Sequence, residues 1–205
     1  MKPNLLILFS GGADSSLILE MALDIGFTPH CILIDYDQNQ KIELDFAERY
    51  LNEKSIPFQT VELHGLGLIS GLTTGEKSLY DGVNEMYVPA RNLMFVSIAA
   101  SIAENMNIKT IWYGANFTDM LEGFPDCTTR WIEQINNLLE FNGSFPIRLE
   151  APLWHMTKDL VVKKLDERGV DMTKIFSGYL EDNKSSILDW GDDEIEPGLW
   201  SRFKT

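Results

Sequence analysis

Short apolar runs and longer mixed stretches alternate along this chain from its first residues. The runs Leu5 to Phe9, Cys31 to Tyr36, Phe58 to Leu63, Thr110 to Tyr113 and Ile147 to Leu149 are brief and rich in aliphatic, β-branched or aromatic residues, which predicts strands. Between and after them, Asp14 to Ile25, Lys41 to Glu53, Asn92 to Met106, Thr129 to Phe141 and Thr157 to Glu167 carry helical patterns. Their ends are punctuated: Gly26 follows the first, Ser55-Ile56-Pro57 the second and Gly169 the last. Strands that alternate with helices predict an α/β fold, doubly wound, with a mainly parallel five-stranded sheet covered on both faces. In such sheets ligands bind beyond the carboxyl ends of the strands, which directs attention to the loops after each strand.

Two regions break the rhythm. From His64 to Met86 the chain is rich in Gly, Thr and charge without clear periodicity, the character of a substrate loop or lid rather than idle linker. From Ser177 to Thr205 it is acidic but carries Tyr179, Trp190, Trp200 and Phe203, aromatics that are costly to leave in water. The expected organisation is one body over residues 1–176 and a short acidic C-terminal tail over 177–205, packed on the body or on a partner subunit.

The strand Leu5 to Leu8 runs into Phe9-Ser10-Gly11-Gly12-Ala13-Asp14-Ser15-Ser16 and then into an apolar helix. Two glycines and several hydroxyls at a helix start offer backbone N–H groups to an anion, in the manner of a phosphate cradle. Neither the Walker A Lys-Ser/Thr ending nor the GxGxxG spacing is present. Ser10 and Asp14 also suit a capped turn.

Later strand ends add chemistry. Asp35-Tyr36-Asp37-Gln38 closes the second strand; Asp35 fits a turn or cap as well as a ligand contact. Val88-Pro89-Ala90-Arg91-Asn92 opens a helix, with Asn92 able to cap it. Arg91 at a helix start opposes the macrodipole and predicts an anionic neighbour, either a ligand or an ion-paired side chain. Lys158 at the start of the last helix also opposes the dipole and suggests a phosphate partner, the alternative being a surface position. Asp119 and Asp126 fall on one stretch after the fourth strand, where carboxylates suit a heterocycle's N–H groups and Phe124 suits its face. Cys127 reads as packing or substrate contact rather than a nucleophile, because none of His30, His64 and His155 neighbours it.

Composition narrows the partners. With 31 Asp plus Glu against 17 Lys plus Arg, the net charge of -14 opposes a direct nucleic-acid substrate. Cys31 and Cys127 form neither a disulfide framework nor a metal-ligand spacing. No run approaches the ~18 apolar residues of a membrane span. A cytoplasmic location is expected, and the aromatic tail makes a homodimer reasonable.

SGGADS at Ser10 to Ser15 resembles the PP-loop of ATP pyrophosphatases, which have the adenine nucleotide alpha-hydrolase-like fold. Taken with Asp35-Tyr36 and Gln38, VPARN at Val88 to Asn92, Thr118-Asp119, GFPDC at Gly123 to Cys127 and Lys158, the chain resembles the 7-cyano-7-deazaguanine synthase (QueC) family. The resemblance implies ATP-dependent conversion of 7-carboxy-7-deazaguanine and ammonia to the nitrile, through an adenylate and an amide. It implies ATP contacts at Phe9, Ser10, Gly11, Gly12, Asp14, Ser15, Ser16, Asp35 and Tyr36, with Mg2+ bridging the phosphates. Substrate contacts would come from Gln38, Arg91, Asn92, Asp119, Phe124, Asp126 and Cys127, and catalysis from Asp14, Arg91 and Lys158. The family's four-cysteine zinc site has no counterpart after Cys127, so no structural zinc is expected.

Overall fold

A computed structural model describes residues 2–36, 42–63, 87–143, 145–172 and 175. Its strands are β1 (Leu5–Leu8), β2 (Pro29–Asp35), β3 (Phe58–Glu62), β4 (Thr110–Trp112) and β5 (Arg148–Glu150). The helices are α1 (Ala13–Asp24), α2 (Ile42–Glu53), α3 (Arg91–Met106), α4 (Phe117–Leu121), α5 (Thr129–Asn142) and α6 (Lys158–Glu167), with a 3-10 turn at Pro125–Cys127. Each predicted strand and long helix is present, shifted by at most a few residues at an end. The proposed loop at 64–86, Gln38 and the tail over 177–205 lie outside the described residues.

All four strand pairings are parallel, in the order β3-β2-β1-β4-β5. The period of two along each strand sorts side chains onto two faces. Leu5, Ile7, Cys31, Leu33 and Trp112 pack with α1, α2 and α6. Leu6, Ile32, Ile34, Ile111 and Leu149 pack with α3 and α5. Burial on both faces explains why these strands read as continuous apolar runs. Trp112 is buried with its indole N–H satisfied, donating to Glu150 Oε2 at 2.8 Å.

The chain winds outward from β1 through β2 to β3, then α3 carries it back across the sheet to β4 on the other side of β1. The order therefore reverses between β1 and β4. A crevice opens at that point, beyond the strands' carboxyl ends. Among the described residues no helix is long and apolar enough to cross a membrane.

Candidate functional site

The loop after β1 is wired almost entirely to itself. Ser15 Oγ donates to the Gly12 carbonyl at 3.0 Å and accepts the Ser10 N–H at 3.3 Å. With its proton so committed, Ser15 leaves Ser10 Oγ to donate to it across 3.2 Å, and Ser10 Oγ in turn accepts the Gly12 N–H at 3.3 Å. Gly12, rather than Ser10 or Asp14, is the N-cap of α1. It brings no side-chain acceptor to the first turn, where the Asp14 N–H serves the Asp14 carboxylate and a helix start favours an anion. Gly11 has φ +83°, and a Cβ there would lie 2.9 Å from Ala47 Cβ and 3.0 Å from the Glu43 carbonyl oxygen. Only glycine fits both the turn and the close approach of α2. Ser16 Oγ is buried and has no hydrogen-bond partner among the described residues.

A cleft of about 560 Å³ opens over this loop. Of the expected contacts, Phe9, Ser10, Asp14, Ser15, Tyr36, Arg91, Asn92, Asp119, Phe124 and Cys127 line it. Gly11, Gly12, Ser16, Asp35, Asp126 and Lys158 do not form its lining. Asp35 ends β2, where its carbonyl accepts the Leu63 N–H at the sheet edge. Tyr36, one residue on, reaches the cleft instead.

Arg91 opens α3, whose N-cap is Ala90 in the left-handed region at φ 58°; Asn92 therefore lies inside the helix and is not its cap. The expected anionic company for Arg91 is present as Glu43 and Asp126. Burial raises the pKa of both carboxyls, and the guanidinium pulls each back down. Arg91 also lies 5.8 Å from the Tyr36 ring centroid and donates to its hydroxyl at 3.4 Å. Asn92 hydrogen-bonds Asp126 and favours its ionised form. The Tyr113 hydroxyl donates to the Asp126 carbonyl at 2.7 Å and so fixes that turn.

Asp119 and Asp126 do not share one loop as their spacing suggests. The segment folds into α4 and a separate 3-10 turn, and the two carboxylates have different partners. Asn116 caps α4, its Oδ1 accepting the Asp119 N–H at 3.0 Å. Its Nδ2 donates to Asp14 Oδ1 at 3.0 Å and to Asp119 Oδ2 at 2.9 Å. Lys158, opening α6, places Nζ 2.8 Å from Asp119 Oδ1 and 3.8 Å from Glu122 Oε2. The cation that opposes the α6 dipole is thus held by side-chain carboxylates. The Lys158 N–H donates to Thr118 Oγ1 at 3.1 Å, which locks the start of α6 to α4. Burial first, then the nearby Asp119 charge, push the Asp14 carboxyl from its ordinary 3.8 up to about 6, against the opposing pull of Lys158 and Asn116.

The Cys127 thiol is pushed well up by burial and by Asp119 and Asp126, which leaves it a neutral thiol near pH 7. Cys31 is fully buried in β2 on the opposite face of the sheet. Two cysteines so placed do not fit a four-thiolate zinc site. Among the described residues no group of three or more His, Cys, Asp or Glu is arranged to hold a metal.

Sequence reasoning missed Asn116, Glu43, Phe95, Tyr113 and Gly114 in this region. Asn116 carried a usable signal, since Asn three residues before Asp is a helix-start pattern. Glu43 carried none, because only the docking of α2 against Gly11 brings it to the cleft. Gly114 shows the same tertiary origin: a Cβ there would lie 3.0 Å from Asp14 Cβ.

The family model described as "Queuosine biosynthesis protein QueC" matches residues 4–187. A 7-cyano-7-deazaguanine synthase of Alcanivorax borkumensis is 33% identical over 189 residues, covering 86% of this chain and 84% of its own. One from Syntrophotalea carbinolica is 34% identical over 192 residues, covering 87% and 83%. Among solved structures, the U34-tRNA thiolase NcsA of Methanococcus maripaludis superposes with a TM-score of 0.56 at 14% identity, over 83% of this chain and 59% of that one. An NMN synthetase from Francisella tularensis gives 0.55 at 15%, over 84% and 64%. This chain spans less than two thirds of either solved chain, and the likeness is one of fold. The sequence relatives reach further, and over most of its length the chain belongs to the QueC family.

Proposed function

We propose that this protein converts 7-carboxy-7-deazaguanine, ATP and ammonia to 7-cyano-7-deazaguanine. The observation that carries the reading is one cleft that joins a glycine and hydroxyl loop at a helix start to Arg91, Asn92, Phe124 and Cys127 on its far wall. A substrate carboxylate oxygen attacks the α-phosphorus of ATP and pyrophosphate leaves. Ammonia then displaces AMP to give the amide. The amide oxygen attacks the α-phosphorus of a second ATP, pyrophosphate leaves again, and loss of AMP with both amide protons leaves the nitrile.

In this reading Phe9, Ser10, Gly11, Gly12, Ser15 and Ser16 form and support the cradle for the departing pyrophosphate. Preformed N–H groups aimed at developing charge are an effective way to lower such a barrier. The donor set fits a nucleotide with its divalent cation. Asp14 and Asp119 are oxygen donors of the kind Mg2+ prefers, beside a helix start that favours phosphate. Bound there, the metal would neutralise phosphate charge. Tyr36, with Asp35 behind it, borders the adenosine, while Arg91 neutralises the substrate carboxylate or its adenylate. Asn92, Phe124, Asp126, Cys127 and Gln38 read the deazapurine. Lys158 acts through Asp119 unless phosphate draws its ammonium away.

The test is incubation of the full chain with 7-carboxy-7-deazaguanine, ATP, Mg2+ and ammonium, followed by mass spectrometry. The expected result is the nitrile with two AMP released for each one formed. Absence of substrate-dependent AMP would overturn the reading. Accumulation of the amide alone would restrict it to the first activation.

A further inference from the structure

Asn116 is the most completely buried polar side chain in the site, with no exposed surface. It belongs to neither the phosphate loop nor the base-reading set. Three of its four hydrogen-bonding positions are filled, by the Asp119 N–H, Asp14 Oδ1 and Asp119 Oδ2. The amide has only one workable orientation. Flipped, its oxygen would face two carboxylates and its NH2 would face a backbone N–H, so every contact would become repulsive. One NH2 group, with one hydrogen for each acid, thereby ties α1 to α4.

We propose that Asn116 is a positioning residue that sets the spacing and orientation of the Asp14 and Asp119 carboxylates toward nucleotide phosphate and its metal. The inference rests on the functional reading above only in taking that ligand to be ATP with a divalent cation. Two carboxylates brought this close repel each other, and some donor must hold them before any cation arrives. Lys158 holds Asp119 directly, at 2.8 Å, and reaches Asp14 only through its charge. Asn116 holds both directly. Because its amide stays neutral, it leaves the charge of the pair to a metal.

Other groups act on the same corner. Asp14 faces Asp119 from α4 and Lys158 from α6, while Glu122 shares Lys158 and the neutral Cys127 thiol lies close by. Losing the amide donor should therefore disturb the geometry of the pair.

The test uses Asn116→Ser and Asn116→Asp in the full chain. Both keep an oxygen able to cap α4. Ser has a single donor, and ionised Asp has none, so neither can serve two carboxylates. ATP binding is followed by calorimetry at a series of Mn2+ concentrations, without the deazapurine. The expected result is at least a tenfold increase, in each variant, in the Mn2+ needed for half-maximal ATP binding.

A second measurement uses the wild-type protein and needs no variant to fold. The side-chain amide protons of Asn116, followed by NMR, should shift on adding Mg2+ and ATP. A Mn2+ requirement within twofold of wild type in both variants would overturn the proposal, as would an Asn116 amide signal that Mg2+-ATP leaves unmoved. Neither readout needs nitrile formation, so a protein that binds metal and ATP in this way but makes no nitrile would refute the proposed reaction and leave the role of Asn116 standing.

Discussion

The two walls of the cleft are held together by opposite means. On the β1 side, the hydrogen bonds among Ser10, Gly12 and Ser15 join residues two to five positions apart. On the β4 side, Asn116 reaches Asp14 across 102 positions, Arg91 reaches Tyr36 across 55 and the Lys158 N–H reaches Thr118 across 40. A turn closed over a few residues costs little chain entropy and forms from its own sequence. The acid corner exists only once β1, β4 and α6 are in place. The loop's shape is therefore a local property, while the charge of each group in the corner is set by its neighbours. Asp14 belongs to both, and substitution there tests the difference most severely.

Asp14→Asn keeps an oxygen for the Asn116 amide but removes the charge. If the corner serves metal and phosphate, AMP release should fall by at least about a hundredfold, the scale of losing one preorganised electrostatic group. Stability should move the other way. The Asp14 pKa is raised in the folded protein, from 3.8 to about 6, so the native state holds a proton that the unfolded chain releases between those values. The stability from that proton is complete below about pH 4 and is lost as the pH rises through 6. Above that, wild type carries a buried carboxylate at a cost that asparagine avoids. Urea unfolding should show the variant more stable by about 1–3 kcal/mol at pH 7.5, with the gain gone by pH 4. A variant that keeps its turnover, or that is less stable at neutral pH, would break the picture of Asp14 as a functional carboxylate held at a cost.

Gly11→Ala probes the loop and separates its local geometry from its tertiary contact. The added Cβ meets φ +83° and Ala47 Cβ at 2.9 Å together. Left-handed backbone costs about 1–2 kcal/mol for an L-residue, and the overlap with α2 adds to it, so a total loss of about 2–4 kcal/mol is expected in urea unfolding. A double-mutant cycle with Ala47→Gly should recover only the overlap with the Ala47 methyl, leaving the Glu43 carbonyl contact at 3.0 Å and the dihedral strain. Full recovery would mean that the loop is shaped by α2 rather than by its own turn, and would erase the contrast between the walls.

The same contrast governs what could be read in the sequence. The strands were legible because burial on two faces writes unbroken apolar runs: Leu5 and Ile7 face one layer of helices and Leu6 the other. The loop was legible because its partners lie within one short stretch. Phe117–Leu121 was not, since five residues are too few to show a helical period. Asn92 looked like a cap, but Ala90 takes that position in a left-handed conformation that alanine gives no reason to expect. The anionic neighbours expected of Arg91 were found, yet nothing local pointed to Glu43, which α2 delivers from 48 positions away. Lys158 was expected to face phosphate or merely to lie on the surface. Its immediate partner is Asp119, because the Thr118 hydroxyl fastens α6 to α4.

The smallest effect is expected at Cys127, a residue with the look of a nucleophile. It lines the cleft beside Phe124, so position alone would allow chemistry. Its surroundings do not, since burial and the Asp119, Asp126 and Asp14 charges all oppose a thiolate and only Arg91 favours one. Attack by sulfur requires the thiolate, and the groups that lower a thiol's pKa at reactive cysteines are outweighed here. Cys127→Ser should keep turnover within about threefold and change stability by no more than about 1 kcal/mol, since the hydroxyl can donate to Asp126 as the thiol does. Wild type should also resist alkylation by iodoacetamide at neutral pH while folded. A hundredfold fall in turnover with the fold intact would place sulfur in the reaction. The β4 wall would then hold a covalent centre rather than a substrate-reading surface.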